Sequence, residues 1–353
     1  MQSLKERKYF YELNFVRGIA CLLVVMVHVT ARHYYLNDQY FNWFTFFLNQ
    51  FSRFGTPLFA IIAGFLLFNQ SFRGRFQIKR FIKSRFAKIF VPFLVWSFVY
   101  LYIKDYPFPW LKGGNSFEEF LTLFFLGDAQ YHLYFIILVI EFYLLFLVLQ
   151  FAKKEKTIIF LTVLSFFINY FFMRKPFDFG HDLLNTFLQD RSSLFYWIFY
   201  FMLGGLFAYY WNDITNWLKN NINLNICLGL IVIVFSVYEY NTFVMYSSTR
   251  ISNLLFIPVI FMFLASTYFA LENSDMIRKL FVNLGNLSMG IYLVHPLVIL
   301  FLDGHIPIIF DRTRYVLVAY IITVLLSILI VKIIQRLPFG SYIVTVATIK
   351  KKG

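Results

Sequence analysis

The sequence predicts an all-α, polytopic integral membrane protein: a helical bundle with about ten transmembrane helices and both termini in the cytoplasm. Hydrophobic residues make up 60% of the 353 residues and charged residues 14%, against about half and about a quarter in soluble domains. The mean hydropathy is +0.67. This composition excludes a soluble enzyme, a disordered chain and a nucleic-acid binder, although the formal net charge is +14.

Long apolar runs define the predicted spans. A helix needs about 20 mostly apolar residues to cross the hydrocarbon core of a bilayer. Ten runs approach this length: 13–33, 43–68, 89–104, 131–151, 157–173, 193–211, 224–240, 250–271, 283–302 and 314–336. Residues 115–127 are too few to span a membrane, and we expect them to form an interfacial helix.

The loop charges predict the orientation of these spans. Lys and Arg accumulate on the cytoplasmic side of membrane proteins, and most loop Lys and Arg residues lie inside when the N-terminus is placed inside. The linkers between spans are short, and no internal repeat is visible. We therefore expect one transmembrane domain over residues 1–353, with a short cytoplasmic N-terminus, a Lys-rich C-terminal tail and no extracytoplasmic hydrolase-like domain.

The first predicted span carries two ionisable side chains on one face. Arg17 and His28 are eleven positions apart, which is within about 20° of three full helical turns and corresponds to ~16 Å of depth. An ionisable residue inside a membrane is a functional candidate. The alternatives are that Arg17 extends to the membrane interface and that His28 is a buried residue hydrogen-bonded to a neighbouring helix.

Other predicted spans carry further polar candidates. Arg53 begins the sequence Arg-Phe-Gly-Thr-Pro in the second span, His132 and Glu141 lie in the fourth, and Tyr292 and His295 lie in the ninth. A buried carboxylate needs a cationic or hydrogen-bonding partner, so a purely structural ion pair is the alternative for Glu141. The alternative for Arg53 is contact with the outer headgroups.

The segment between the second and third predicted spans is strongly basic. It carries seven cations without an acidic residue: Arg73, Arg75, Lys79, Arg80, Lys83, Arg85 and Lys88. Guanidinium groups bind phosphate oxygens in a bidentate fashion, so one interpretation is a phosphate-binding clamp. The other is a topology determinant that binds anionic lipid.

In this order, these elements resemble the membrane acyltransferase family 3. The resemblance extends from the first to the ninth span. The sequence departs from the family pattern at Ala63, where the family more often has Ser. It is carried by Arg17-x10-His28, Arg53-Phe-Gly-Thr-Pro57, the basic stretch ending at Pro92, His132-Leu-Tyr-Phe with Glu141, and the run from Leu284 to His295-Pro296.

The resemblance implies an O-acyltransferase in a bacterial plasma membrane. Such an enzyme moves an acyl group, acetyl or succinyl, from cytoplasmic acyl-CoA to a hydroxyl of a cell-surface polysaccharide or its lipid-linked precursor. We expect His28 to act as general base or to carry the acyl group covalently, Glu141 to orient the imidazole, and Arg53 to stabilise the oxyanion.

The remaining candidates bind the two substrates. Four cations are expected to hold the phosphates of acyl-CoA: Arg17, Arg80, Arg85 and Lys88. Three residues are expected to bind the acceptor: His132, Tyr292 and His295.

We expect no tightly bound cofactor, no metal site and no nucleic-acid partner; a homodimer is left open. The layout resembles the stand-alone branch of the family, which includes the protein thought to succinylate poly-N-acetylglucosamine. A glycan exporter or flippase without acyl chemistry is the alternative, since intramembrane charges suit transporters too.

Overall fold

A computed structural model describes residues 9–74, 76–111, 113–174, 178–240 and 247–346. All regular secondary structure in these ranges is helical, which confirms the predicted all-α, polytopic fold. The N-terminal cations, Arg75 and the Lys-rich tail lie outside the described residues.

The first half of the described chain forms eight α-helices and one π-helix. They are α1 (Tyr11–Leu36), α2 (Trp43–Ser52), α3 (Gly55–Phe72), α4 (Ile78–Arg85), a π-helix (Phe86–Phe90), α5 (Val91–Ile103), α6 (Phe117–Leu126), α7 (Tyr134–Leu149) and α8 (Glu155–Arg174).

The second half continues the bundle. Its helices are α9 (Asp182–Leu188), a 3-10 turn (Leu194–Tyr196), α10 (Ile198–Tyr209), α11 (Trp211–Asn220), α12 (Ile222–Tyr240), α13 (Asn253–Ala270), α14 (Asp275–His305), α15 (Ile308–Asp311), a second 3-10 turn (Thr313–Tyr315), α16 (Val316–Arg336) and α17 (Gly340–Ile343).

Eight helical stretches in the described residues are long and apolar enough to cross a membrane. The other two predicted spans correspond to α7 and α10, with 16 and 12 residues. The second predicted span is not one helix, because α2 and α3 are separated at Arg53 and Phe54. The N–H groups of these two residues donate to carbonyls three residues back. Such a break is tolerated at membrane depth where it is packed within protein.

The basic stretch is also more helical than its charge suggested. The segment between the predicted spans 43–68 and 89–104 is helical from Ile78, and this helical stretch runs without interruption into α5. In the π-helix, the Val91 N–H donates to the Phe86 carbonyl five residues back. Pro92 has no N–H for the Lys88 carbonyl, which instead accepts a hydrogen bond from Thr345 Oγ1 at 2.7 Å.

Two short helices flank the bundle. The expected helix over 115–127 is α6; Ser116 and Glu119 form a capping box at its start and Gly127 ends it in the left-handed conformation. Helix α11 lies between the predicted spans 193–211 and 224–240. It buries Trp211 and Leu218 against the bundle and exposes most of its polar residues, the pattern of an amphipathic surface helix.

Close glycine contacts join the main helix pairs. In α1 and α14, a Cβ on Gly18 would lie 2.2 Å from the Phe281 carbonyl oxygen, and one on Gly285 would lie 1.9 Å from that of Asn14. In α3 and α10, Gly64 and Gly204 make equally close backbone contacts with the opposite helix. Small residues let membrane helices approach closely enough for van der Waals packing to join them.

Candidate functional site

The packing of α1 on α14 fixes a helix register that stacks two histidines. Gly18 contacts Gly285, and the Cys21 thiol donates to the Ser288 carbonyl, a pair 267 positions apart. Because both contacts share this offset, the two helices run parallel. The same offset pairs His28 with His295, whose ring centroids lie 5.2 Å apart in a stacked arrangement.

The turn that precedes α7 adds a third histidine to this pair. The His132 ring lies 5.4 Å from that of His295 and 5.0 Å from that of Tyr292. The Tyr292 hydroxyl donates to the His132 carbonyl. Beside it, the Tyr131 ring lies 4.6 Å from His28. We call His28, His132 and His295 the histidine cluster.

A tyrosine from α5 holds the backbone of α14 at the cluster. Pro296 lacks an N–H and interrupts the helical hydrogen bonds there. The buried Tyr100 hydroxyl enters this gap: it donates to the Leu293 carbonyl at 2.6 Å and accepts from the Leu297 N–H at 3.2 Å. The position of His295 therefore depends on α5 as well as on α1.

Several ring nitrogens of the cluster have no hydrogen-bond partner among the described residues. His295 Nδ1 lies 3.0 Å from the Ile291 carbonyl, but His295 Nε2 and both ring nitrogens of His132 are buried with no partner among the described residues. The half-buried His28 ring has no hydrogen bond within the same part of the chain. Unpaired buried polar atoms in a native site indicate a place for water or a ligand.

The charges of three cations act on the cluster. The positive charges of Arg53 and Arg191 act on His28, and that of Lys104 acts on His132. The half-buried Arg53 is oriented by Asn49, whose side-chain oxygen accepts from its Nε at 3.1 Å. Positive charge close to the rings favours negative charge developing on a reacting group. Within the described residues, no group of three or more metal-ligating side chains is suitably arranged.

Glu141 is placed away from the histidines. It lies nine positions after His132 on the chain, and its carboxylate accepts a hydrogen bond from the Leu194 N–H at 2.7 Å. No described contact joins it to His28. The expected orienting contact is therefore not formed in this structure, and the carboxylate instead anchors the 3-10 turn that precedes α10.

A second group of residues lies at the other end of α1. The Arg85 guanidinium lies 5.0 Å from the centre of the Tyr143 ring, and its Nε is buried without a partner among the described residues. The charge of Arg85 and the hydroxyl of Tyr143 both act on Arg17. We call Arg17 and Arg85 the arginine pair. Two other expected phosphate ligands, Arg80 and Lys88, are exposed.

The two groups lie at different levels along α1. Arg17 and His28 are eleven positions apart on α1, and Tyr143 on α7 lies eleven positions after His132, which is in the turn that precedes this helix. Eleven residues span ~16 Å along a helix. The structure therefore brings His28, His132, Tyr292 and His295 together at one level. At the other level Arg85 contacts Tyr143, and its charge acts on Arg17.

Three tyrosines of this arrangement were not identified from the sequence. Tyr131 directly precedes His132 in the sequence, but this position alone is only weak evidence for a functional role. Tyr100 and Tyr143 carried no signal of their own, because they are two of 24 tyrosines in a chain rich in aromatic residues.

The chain is similar to known proteins over most of its length. The acyltransferase 3 family, described as an acyltransferase domain, matches residues 10–332. A Staphylococcus aureus (strain MSSA476) protein is 24% identical over 338 residues, which cover 90% of this chain and 91% of the relative. A Staphylococcus epidermidis protein is 24% identical over 326 residues, covering 87% and 86%.

Both relatives are named probable poly-beta-1,6-N-acetyl-D-glucosamine export protein. No solved structure matches the chain significantly. Because the family match covers nearly the whole helical bundle, this multi-pass membrane protein belongs to the acyltransferase 3 family.

Proposed function

We propose that this protein transfers an acetyl or succinyl group from cytoplasmic acyl-CoA to a hydroxyl of a surface polysaccharide or its lipid-linked precursor. The observation that carries the proposal is the histidine cluster, ~16 Å along α1 from the arginine pair. The family supports acyl transfer in general. The names of the relatives support a polymer of β-1,6-linked N-acetylglucosamine as the acceptor.

The arginine pair suits the donor. Coenzyme A carries its negative charge on the diphosphate and 3′-phosphate, whereas its acyl end is extended and neutral. Arg17 and Arg85 are half-buried, and guanidinium groups bind phosphate bidentately. With the phosphates held there, the pantetheine arm extends along α1 towards His28. Arg80 and Lys88 are exposed and add attraction at longer range.

The histidine cluster suits the transfer step. His28 takes the proton from the acceptor hydroxyl, and the hydroxyl oxygen attacks the thioester carbonyl. The tetrahedral intermediate places its negative charge near Arg53. When it collapses, the C–S bond breaks, and the departing thiolate of coenzyme A takes the proton back from His28. An acyl group carried on His28 is the covalent alternative. His132, Tyr292 and His295 offer polar atoms to the acceptor.

A direct assay tests the proposal. The purified protein in lipid nanodiscs is incubated with acetyl-CoA or succinyl-CoA and a β-1,6-linked N-acetylglucosamine oligosaccharide, and the products are analysed by mass spectrometry. We expect an O-acylated oligosaccharide with one of the two donors. Unmodified oligosaccharide with both donors, from protein that binds them, would contradict the proposal.

Export without acyl chemistry is the second candidate function, because both relatives are named export proteins. An exporter has no use for a coenzyme A site. Thermal shift measurements with acyl-CoA and with the oligosaccharide distinguish the two functions. Stabilisation by acyl-CoA favours the transferase, and stabilisation by the oligosaccharide alone favours the exporter.

A further inference from the structure

An ion pair lies one helical turn beyond the histidine cluster. Arg32 follows His28 by four positions on α1, so it lies on the same face and ~6 Å further along the helix. Its Nη2 lies 2.7 Å from Asp303 Oδ2 on α14. The Arg32 side chain is 35% exposed and that of Asp303 19%, so the pair is neither fully buried nor freely solvated.

The ion pair is not saturated with hydrogen bonds. Arg32 Nε and Asp303 Oδ1 are both buried and have no partner among the described residues. One is a donor and the other an acceptor only. A free donor beside a free acceptor suits two neighbouring hydroxyl groups, one of which accepts while the other donates. A phosphate or carboxylate would be repelled by the Asp303 carboxylate.

An aromatic ring completes the group. Tyr131 is 36% exposed, its ring lies 4.6 Å from His28, and the charge of Arg32 acts on its hydroxyl. An exposed aromatic ring offers a flat apolar surface with a polar end. Such a surface matches the apolar C–H face of a pyranose, whose hydroxyls point outwards from the ring edge.

We propose that Arg32, Asp303 and Tyr131 form the subsite that binds a neutral hexopyranose unit of the acceptor. Two neighbouring hydroxyls of the sugar bind the ion pair, its C–H face packs on Tyr131, and another hydroxyl reaches His28. This inference rests on the proposed function for its acceptor, and it assigns the sugar to this ion pair rather than to the arginine pair.

Binding of the acceptor is measured without a donor, so that the result does not depend on acyl transfer. The probe is a β-1,6-linked N-acetylglucosamine tetrasaccharide, titrated by calorimetry into the purified full chain in detergent. We expect Asp303→Asn and Tyr131→Ala each to raise the dissociation constant at least tenfold. Asp311→Asn is the matched control, because Asp311 pairs with Arg312 in an exposed ion pair; we expect wild-type affinity.

A charge exchange separates binding from a purely structural tie between α1 and α14. The double variant Arg32→Asp with Asp303→Arg restores an ion pair but reverses its hydrogen-bonding pattern against the sugar. We expect a melting temperature close to that of the wild type and tetrasaccharide binding still weakened at least tenfold. Wild-type affinity in this variant would overturn the subsite.

The outcomes also separate the subsite from the proposed function. Weakened binding in the Asp303 and Tyr131 variants supports the subsite even if the wild type transfers no acyl group, in which case only the proposed function fails. Unchanged binding in variants that remain folded overturns the subsite, while acyl transfer by the wild type leaves the proposed function standing. No measurable tetrasaccharide binding by the wild type also overturns the subsite.

Discussion

At the scale of single residues, helical spacing predicts the separation of two side chains along one helix but not their partners. The eleven-residue interval between Arg17 and His28 indicated two levels along one face, and the structure places a different group at each level. Glu141 shows the limit, because its carboxylate binds the Leu194 N–H rather than an imidazole. Spacing within one helix does not determine which neighbouring backbone faces a side chain.

The different exposure of two cations yields a prediction about the donor site. Arg85→Ala should weaken acyl-CoA affinity by about 1.5–3 kcal/mol, the value of a charge-assisted hydrogen bond, or roughly 10- to 150-fold. Arg80→Ala should have a much smaller effect, because Arg80 is exposed on the same helix. Equilibrium binding of acyl-CoA to both variants is the measurement. Equal losses would show that the basic stretch acts only through its total charge.

At the scale of helices, hydropathy predicted the apolar spans but not how these helices pack against one another. The sequence predicted α1 and α14 as separate spans, and only the structure reveals the shared offset that stacks His28 on His295. The broken second span and the π-helix were also missed. Both result from local hydrogen bonding at Arg53 and near Pro92, to which hydropathy is insensitive.

The tight packing of these two helices predicts a large effect from one methyl group. Gly285→Ala places a Cβ 1.9 Å from the Asn14 carbonyl oxygen, so the helices must separate. We expect a lower melting temperature, with overpacking costing about 1–3 kcal/mol, and reduced activity. Gly304→Ala, on the same helix with open space around it, is the control. A stable, fully active Gly285→Ala variant would show that the register does not depend on this contact.

The Pro296 gap predicts that one hydroxyl stabilises α14. Tyr100→Phe removes both hydrogen bonds to the opened backbone, and leaving buried groups unpaired costs about 1–3 kcal/mol. We expect a lower melting temperature. Tyr106→Phe should have little effect, since the buried Tyr106 hydroxyl has no partner among the described residues. Equal melting temperatures for the two variants would show that the Tyr100 hydroxyl does not stabilise α14.

At the scale of the whole molecule, composition alone was sufficient for the fold class. A hydrophobic content of 60%, against about half in soluble domains, favours helices buried in lipid, and the described chain is helical throughout its regular structure. The inward orientation of the N-terminus stays a prediction from the loop charges. The histidine cluster belongs to this scale as well, since it needs α1, α14 and the turn before α7, which are far apart along the chain.

Cysteine labelling in intact cells checks that orientation. In a Cys227→Ser background, a membrane-impermeant maleimide should label Tyr40→Cys, which the loop charges place outside, and should leave Lys83→Cys unlabelled. Both positions are exposed in the structure, so labelling reports the side of the membrane. After the cells are opened, both should react. The opposite pattern in intact cells would invert the bundle and place the arginine pair away from cytoplasmic acyl-CoA.

The central claim is that His28 performs the transfer at the histidine cluster. The most direct measurement is the initial rate of oligosaccharide acylation by purified His28→Ala, followed by mass spectrometry, with acyl-CoA binding measured on the same sample. His305→Ala is the matched control, because His305 is exposed at the last turn of α14. The account predicts no detectable transfer by His28→Ala with acyl-CoA affinity retained, and a wild-type rate for His305→Ala. Wild-type transfer by His28→Ala would contradict it.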